Sequence, residues 1–404
     1  MIIHPDLKPR LRPVEPFQGS EPGTLGIRDP SGLSQVAMTL SEPAFFILAL
    51  FDGTKTLTAI QEKFLARYRE PVSFDTLVDL VTRLEESLLL EGPKFDAHYQ
   101  QLLDQYRSAP VRTMHSAESL GLDEDAGSVF QAMLGDTQPA VGDGCIAGLI
   151  APHLDYPRGR PCYSAAYGSL AQQGPPDRFV ILGTNHFGLG GRSSVVGTTK
   201  DFDTPLGKTA TDRAFLERIE ERCGDLRRHE YDHVNEHSIE LQLCWLQHLY
   251  GADCFEMVAF LCPDPCGPTG TAPFDGKGVD LGDFARMLRR TIDEDDKSTV
   301  MIAGADFSHV GRFFGDKRVL GDDFLDEVRQ WDKAVLRRIE QGDGAAFREC
   351  VANRENPTRI CSTGCMFTLM TALPDAKATV LDYHQAVERG VQNCVTCAAV
   401  LFRQ

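Results

Sequence analysis

The stretch LIAPHLDYPRG, residues 149–159, begins as an apolar run that suits a buried strand and then changes to proline, histidine and aspartate. Two further apolar runs, at 179–182 and 300–303, also lead into a histidine within a few residues. Parallel strands end at one edge of a sheet, and ligands of open α/β sheets bind at that edge. We therefore expect three histidines to converge there: His153, His186 and His309.

Two blocks of different pattern divide the chain. In residues 141–404 short apolar runs alternate with amphipathic segments, which predicts an α/β domain with a mainly parallel central sheet. Residues 1–95 carry three periodic apolar segments, which predict a small helical or winged-helix domain. Residues 96–140 are polar with weak helical periodicity, so we expect them to connect the two domains.

The composition excludes several classes of protein. The 404 residues carry a formal net charge of −17, which disfavours an extended nucleic-acid surface. The N-terminus lacks the pattern of a signal peptide, and the longest apolar run is too short to span a bilayer, so we expect a cytoplasmic protein outside the membrane. Without an export signal, the twelve cysteines indicate reduced thiols or metal ligands rather than disulfides.

A metal ion is the simplest reason to gather imidazoles, and such a site usually also needs an anionic ligand. Cys361 stands just before an apolar helical run, so its sulfur is expected near a helix N-terminus, where partial positive charge favours the thiolate. The alternative is a cysteine that only packs in the core.

Six motifs in order resemble the Memo family, called AmmeMemoRadiSam system protein B in bacteria. The motifs are APHLDY (151–156), ILGTNH (181–186), FDTPLG (202–207), EHSIELQL (236–243), ADFSHVG (305–311) and ICSTG (360–364). The resemblance implies a fold similar to class III extradiol dioxygenases, whose non-haem iron is held by two histidines and a glutamate. In Memo proteins a cysteine replaces that carboxylate.

The resemblance also implies roles for individual residues. The implied metal ligands are His153, His186 and Cys361, with Fe(II) as the expected metal and copper as the alternative. The implied proton-transfer and orienting groups are His309, Asp306 and His237. The implied substrate-binding residues are Asp155, Tyr156, Asn185 and Glu240. Asp155 departs from the commoner family pattern and could place a further carboxylate within reach of the metal.

These features predict a mononuclear metal site and a dioxygenase-like redox enzyme, with a radical-SAM protein and an AMMECR-type protein as implied partners. Within the first 95 residues, the spacing of ILALFDGTKTLTAIQEKF (47–64) and LEESLLLEG (84–92) resembles the PqqD-like peptide-recognition fold, and an ordinary three-helix domain fits equally well. A rival hypothesis is a non-catalytic recognition protein that presents a peptide on this domain and keeps a vestigial or structural metal cleft. Binding of metal in stoichiometric amounts would separate the two.

Three shorter patterns compete with this interpretation. His233 to His237 match the H-x-x-E-H pattern of zinc proteases, but a helix that begins near Asn235 would leave the first histidine outside it. The pairs Cys262/Cys266 and Cys394/Cys397 match no standard iron–sulfur spacing. We expect packing roles for both pairs, the second in an alternating terminal strand.

Overall fold

The computed structural model describes residues 3–18, 24–123, 125–135, 143–187, 189, 194–274 and 276–404. The chain divides into two compact units, Met1–Ser108 and Ala109–Gln404. The stretch expected to be a connector is divided between them: residues 93–108 form a helix of the first unit, and residues 111–113 form a strand of the second.

The first unit combines a small antiparallel sheet with helices around an apolar core. Its elements are β1 (Glu15–Gln18), β2 (Thr24–Arg28), β3 (Met38–Ser41), α1 (Glu42–Leu48), α2 (Leu57–Tyr68), α3 (Phe74–Glu86) and α4 (Pro93–Ser108). The three helices expected from periodicity are α1 to α3. Thr56 and Ser73 cap α2 and α3, because each side chain accepts a hydrogen bond from a backbone N–H three residues on.

The second unit is a larger α/β domain. Its first elements are β4 (Val111–Thr113), α5 (Ala126–Leu134), β5 (Ile146–Ala151), α6 (Tyr156–Leu170), β6 (Arg178–Thr184), β7 (Val196–Gly197), β8 (Asp201–Thr204), β9 (Gly207–Thr209), α7 (Arg213–Cys223) and α8 (Glu240–Tyr250). They are followed by β10 (Glu256–Cys262), α9 (Leu281–Asp293), β11 (Thr299–Gly304), β12 (Asp306–Val310), α10 (Asp322–Glu340), α11 (Gly344–Ala352), α12 (Thr363–Ala372), β13 (Lys377–Glu388) and β14 (Asn393–Arg403).

Among the described residues, the main sheet has eight strands in the order β12-β14-β5-β11-β6-β10-β7, with β13 paired to β14. Its four central strands β5, β11, β6 and β10 are parallel, and the strands on either side are antiparallel. The expected α/β fold with a mainly parallel central sheet is thus confirmed. The strands β4, β8 and β9 form a separate small sheet.

Helices cover both faces of the main sheet, so its strands are apolar on both sides. In β6, Phe179 and Ile181 pack on one apolar cluster while Val180 and Leu182 pack on the other. The terminal strand β14 was expected to alternate between buried and exposed residues, but residues 393–402 are all buried because it too lies between two layers. Within the described ranges, no helix is long and apolar enough to cross a bilayer.

One buried carboxylate joins the antiparallel strands to a helix. Asp332 of α10 accepts hydrogen bonds from the hydroxyls of Ser308 on β12 (2.6 Å), Tyr383 on β13 (2.8 Å) and Thr396 on β14 (2.6 Å). Burial raises the pKa of Asp332, and the three hydroxyl donors replace the water that the carboxyl loses on folding.

Replacing Asp332 by alanine should lower the free energy of unfolding by about 2–4 kcal/mol, because three hydroxyls, two of them buried, would lose their acceptor. Urea unfolding followed by circular dichroism would measure the change. The matched control is Asp326→Ala on the same helix, whose exposed side chain pairs with Arg329 and should change the value by less than about 0.5 kcal/mol. Equal effects of the two substitutions would show that the Asp332 contacts do not stabilise the sheet.

Candidate metal centre

The carboxyl ends of β5 and β6, the parallel strands on either side of β11, bring two histidines close to a cysteine. His153 lies two residues after β5, and His186 lies two residues after β6. Cys361 precedes Ser362, the N-cap residue of α12. One donor atom from each of these side chains lies within 4.8 Å of the other two. The strand ends led us to expect His153, His186 and His309 together, whereas the donors grouped here are those of His153, His186 and Cys361, the set that the family resemblance implies.

The imidazole of His153 is buried and oriented by the neighbouring strand. Its Nδ1 lies 3.0 Å from the carbonyl oxygen of Gly304 at the end of β11. A carbonyl only accepts hydrogen bonds, so Nδ1 carries a proton and Nε2 is the nitrogen left to bind a metal. That Nε2 lies 3.5 Å from the sulfur of Cys361.

A buried carboxylate orients His186 in the same way. The imidazole Nδ1 lies 3.1 and 3.2 Å from the two carboxylate oxygens of Glu236, and the backbone N–H of His186 donates to Glu236 at 2.9 Å. Burial alone would raise the pKa of Glu236, but the adjacent His186 holds that pKa below its usual range. A charged acceptor at Nδ1 leaves Nε2 of His186 available and makes it a stronger donor.

Glu236 has a place in this site that the sequence reasoning missed. Its Oε1 also accepts the backbone N–H of Ser238 at 2.9 Å, and Arg112 donates to its backbone carbonyl at 2.7 Å. In the sequence it appeared within the H-x-x-E-H pattern and as the first residue of the EHSIELQL motif, with no role assigned to it. The available signal was its position beside His237 in the EHSIE motif, a segment with little regular structure before α8.

Electrostatics favour the thiolate at Cys361. Burial would raise the pKa of this thiol, but the neighbouring His309 and His153 bring it well below its usual value. Cys365, one turn further along the chain, differs: burial and the adjacent Cys262 raise its pKa well above the usual value. Cys361 is therefore the anionic sulfur of the pair, and Cys365 packs in the core.

Two more side chains contact the cluster. The ring of His237 stacks on His186 with centroids 5.1 Å apart and lies 5.5 Å from His153. Burial and the two other imidazoles lower the pKa of His237 to about 4, so it is neutral at pH 7. Asp306 accepts the backbone N–H of His153 at 3.1 Å, and its second oxygen lies 3.6 Å from His153 Nε2. Asp306 thus orients the potential metal ligand His153, and not His309 as expected.

His309 lies on β12 at the Cys361 side of the cluster. Its Nδ1 lies 3.0 and 3.1 Å from the carbonyl oxygens of Phe307 and Arg359, so Nδ1 carries a proton and Nε2 is the nitrogen left to exchange one. Phe314 packs edge-on against the ring at 5.2 Å. His309 does not belong to the groups of potential ligands found in the described part of the chain.

The four expected substrate-binding residues do not gather around the cluster. Asp155 caps α6, and its carboxylate is bound by the backbone N–H and the guanidinium of Arg158. Tyr156 is buried and donates to the Leu241 carbonyl.

Of the other two residues, Glu240 is bound by structural partners, and Asn185 only in part, since its Oδ1 has no hydrogen-bond partner among the described residues. Glu240 is buried and binds Arg112, His115 and Ser116. Asn185 is closest to the site, since it precedes His186, and its amide donates to Asp232 at 2.9 Å. In this geometry Asp155, Tyr156 and Glu240 stabilise the fold around the site.

The competing patterns have structural explanations. His233 lies in a 3-10 turn, its Nε2 binds the Val196 carbonyl, and burial lowers its pKa to about 3. The helix that follows begins at Glu240 rather than near Asn235. Burial raises the pKa of both Cys266 and Cys394 to about 12. Neither cysteine pair belongs to a three-ligand group among the described residues.

Metal affinity should fall as the pH decreases below about 9. Burial lowers the pKa of His153, but Asp306 and Cys361 outweigh it and raise the value to about 9. Below that pH a metal must displace this proton, so the affinity should change by about tenfold per pH unit for each proton displaced. Competition titrations between pH 6.5 and 9 would measure this. An affinity that stays constant down to the range of a free imidazole, near pH 6.5, would contradict the charge assignment.

Comparisons with known proteins identify the family of this chain. The family model described as "Memo-like protein" matches residues 123–401. A MEMO1 family protein of Methanopyrus kandleri is 30% identical over 275 residues, which cover 66% of this chain and 87% of the relative. One of Aquifex aeolicus is 27% identical over 382 residues, covering 93% of this chain and 95% of the relative. This chain belongs to the Memo family.

Proposed function

We propose that the second unit binds one metal ion, iron or copper, through His153, His186 and Cys361. The observation that carries this proposal is the approach of their three donor atoms to within 4.8 Å of one another at the carboxyl edge of the parallel strands. Two oriented imidazoles and a thiolate form a donor set that suits both metals. The partial exposure of the His186 side chain, 24%, gives solvent and ligands access.

The residues around the three ligands fit a metal centre. Gly304 and Glu236 each accept a hydrogen bond from an Nδ1–H, so Nε2 is the nitrogen of each imidazole that would bind a metal, without a change of tautomer. The thiolate of Cys361 compensates part of the positive charge that a metal would bring. A bound iron or copper ion would supply electron transfer and an electrophilic centre for a substrate or dioxygen.

We further propose that the protein is a redox enzyme with dioxygenase-like architecture. His309 would move a proton through Nε2, because its Nδ1 proton is held by two backbone carbonyls. Asp306 would keep His153 in place, and the neutral ring of His237 would cover one side of the cluster.

The partners remain predictions that the family resemblance motivates: a radical-SAM protein, an AMMECR-type protein and a peptide on the first unit. The family match begins at residue 123 and therefore does not bear on the PqqD-like resemblance. A structural metal in a non-catalytic recognition protein would use the same ligands. Reaction of the bound metal with dioxygen or a small oxidant would distinguish the redox enzyme from the recognition protein.

Replacing Cys361 by serine should abolish stoichiometric metal binding, because a neutral hydroxyl replaces an anionic sulfur in the ligand set. The loss should exceed the roughly 10–100-fold effect of changing an outer hydrogen-bond partner. Protein purified without oxygen and titrated with Fe(II) or Cu(I) would be analysed for bound metal and absorption.

Cys365→Ser is the matched control and should retain the metal, since Cys365 is a buried, protonated thiol. If the control lost the metal and Cys361→Ser kept it, the ligand would be Cys365. Full binding in both variants would refute a thiolate site.

Replacing His309 by alanine should leave metal stoichiometry near that of the unaltered protein and raise the pKa of the Cys361 thiol. The second effect is expected because the charge of His309 lowers that pKa. The pH dependence of iodoacetamide alkylation at Cys361 in metal-free protein, followed by peptide mass spectrometry, measures it. Loss of metal would make His309 a ligand, and an unchanged alkylation profile would remove its electrostatic link to Cys361.

A further inference from the structure

Ser362 lies between the proposed ligand Cys361 and helix α12, and its side chain is fully buried. It is the N-cap residue of α12, a position where a serine side chain usually accepts a backbone N–H of the first helical turn. Thr56 and Ser73 do this at α2 and α3, but in the described first turn of α12 no such hydrogen bond forms. The Ser362 hydroxyl is therefore engaged elsewhere, since a buried hydroxyl needs partners within the protein.

Two donors occupy the lone pairs of the Ser362 oxygen. The hydroxyl of Thr184, at the end of β6, donates to it at 2.9 Å, and the backbone N–H of Asp306 donates to it at 3.2 Å. Burial raises the pKa of Cys365, so this thiol keeps its proton and can donate it to the Thr184 oxygen at 3.5 Å. A hydroxyl accepts two hydrogen bonds and donates one, so only the proton of Ser362 remains to be placed.

Among the described residues, two atoms lie within reach of that proton. The sulfur of Cys361 is 3.3 Å from the Ser362 oxygen, and Nδ1 of His153 is 3.5 Å from it. This Nδ1 already carries a proton, which it donates to the Gly304 carbonyl, so it cannot accept another. The sulfur of Cys361 is therefore the acceptor of the Ser362 hydroxyl.

A hydrogen bond to a thiolate changes how strongly the sulfur donates electrons. The donor draws electron density from the sulfur, so less of it reaches a bound metal, and the oxidised state of the metal loses more by this than the reduced state. The effect is larger where water is excluded, and the Ser362 side chain is 0% exposed.

We propose that Ser362 is a positioning residue of the metal centre: its hydroxyl donates a hydrogen bond to the Cys361 sulfur and thereby favours the reduced state of a bound iron or copper. That a metal binds rests on the proposed function, whereas the hydrogen bond rests on the contacts of Ser362 alone. The reduced state is the one that can give an electron to dioxygen or another oxidant, so this hydroxyl would help to keep the centre ready to react.

Cobalt(II) is the probe for the hydrogen bond, because it binds the same nitrogen and sulfur donors and its sulfur-to-metal charge-transfer band reports electron donation by the thiolate. The band is recorded on full-length protein loaded with Co(II) in the absence of oxygen. In Ser362→Ala it should move to longer wavelength, because the sulfur electrons lie higher in energy without the hydroxyl. An unchanged band position in this variant would overturn the proposal.

Thr363→Val is the matched control. Thr363 is the next residue and is equally buried, but its hydroxyl donates to the Ile360 carbonyl at 3.4 Å rather than to the sulfur. The charge-transfer band should keep its position in this variant. An equal shift in Thr363→Val and Ser362→Ala would assign the effect to a disturbed helix start and remove the role of Ser362.

The effect on the oxidation state is measured with iron bound. In a redox titration, the midpoint potential of the Fe(III)/Fe(II) couple should be lower in Ser362→Ala than in the unmodified protein, because the stronger donor favours Fe(III). An equal or higher midpoint in the variant would overturn this part of the proposal.

The unmodified protein supplies a measurement that does not depend on the folding of a variant. The cobalt–sulfur stretching frequency, read by resonance Raman spectroscopy in the charge-transfer band, should shift between H₂O and D₂O as the O–H donor becomes O–D. No shift after exchange of the metal-free protein would overturn the hydrogen bond. Failure of the unmodified protein to bind Co(II) with a charge-transfer band would instead refute the metal centre itself, and with it the effect on oxidation state.

Discussion

The parallel pairing of β5, β11 and β6 is the constraint on which the site depends. Met301 to Gly304 pair with residues 148–151, and Thr299 to Ala303 pair with residues 178–182. This register brings the carboxyl ends of three strands to the same edge, so the residues that follow them are neighbours in space. A shift of one strand would separate the two imidazoles and remove the carbonyl of Gly304 from His153.

Hydrogen bonds to the backbone and to Glu236 turn this proximity into a defined ligand set. His153 is oriented by a carbonyl from the adjacent strand, whereas His186 is oriented by a carboxylate 50 residues away in sequence. In both arrangements Nδ1 carries the proton, and Nε2 is the nitrogen that can bind a metal. The cluster thus combines two oriented imidazoles with a thiolate whose negative charge they stabilise.

The antiparallel side of the sheet supplies the other half of the site. β12 begins at Asp306, which accepts the backbone N–H of His153, and it carries His309. The backbone of His309 also forms hydrogen bonds with the residues that precede Cys361. Asp332 joins this strand to β13 and β14 by accepting hydrogen bonds from a hydroxyl on each of the three strands. The positions of His309 and Cys361 are therefore coupled by one strand, although more than 50 residues separate them along the chain.

The sequence by itself determined the α/β class and the residues at the strand ends, because burial on both faces and the grouping of parallel strand ends follow from local patterns. It also singled out Cys361 from its place before a helix. Only the tertiary structure decided which neighbouring polar residues join the site: Glu236 faces His186, whereas Glu240, four residues later, turns into the core to meet Arg112. Partners so distant in sequence, and the direction in which a side chain points, depend on packing that no local pattern records.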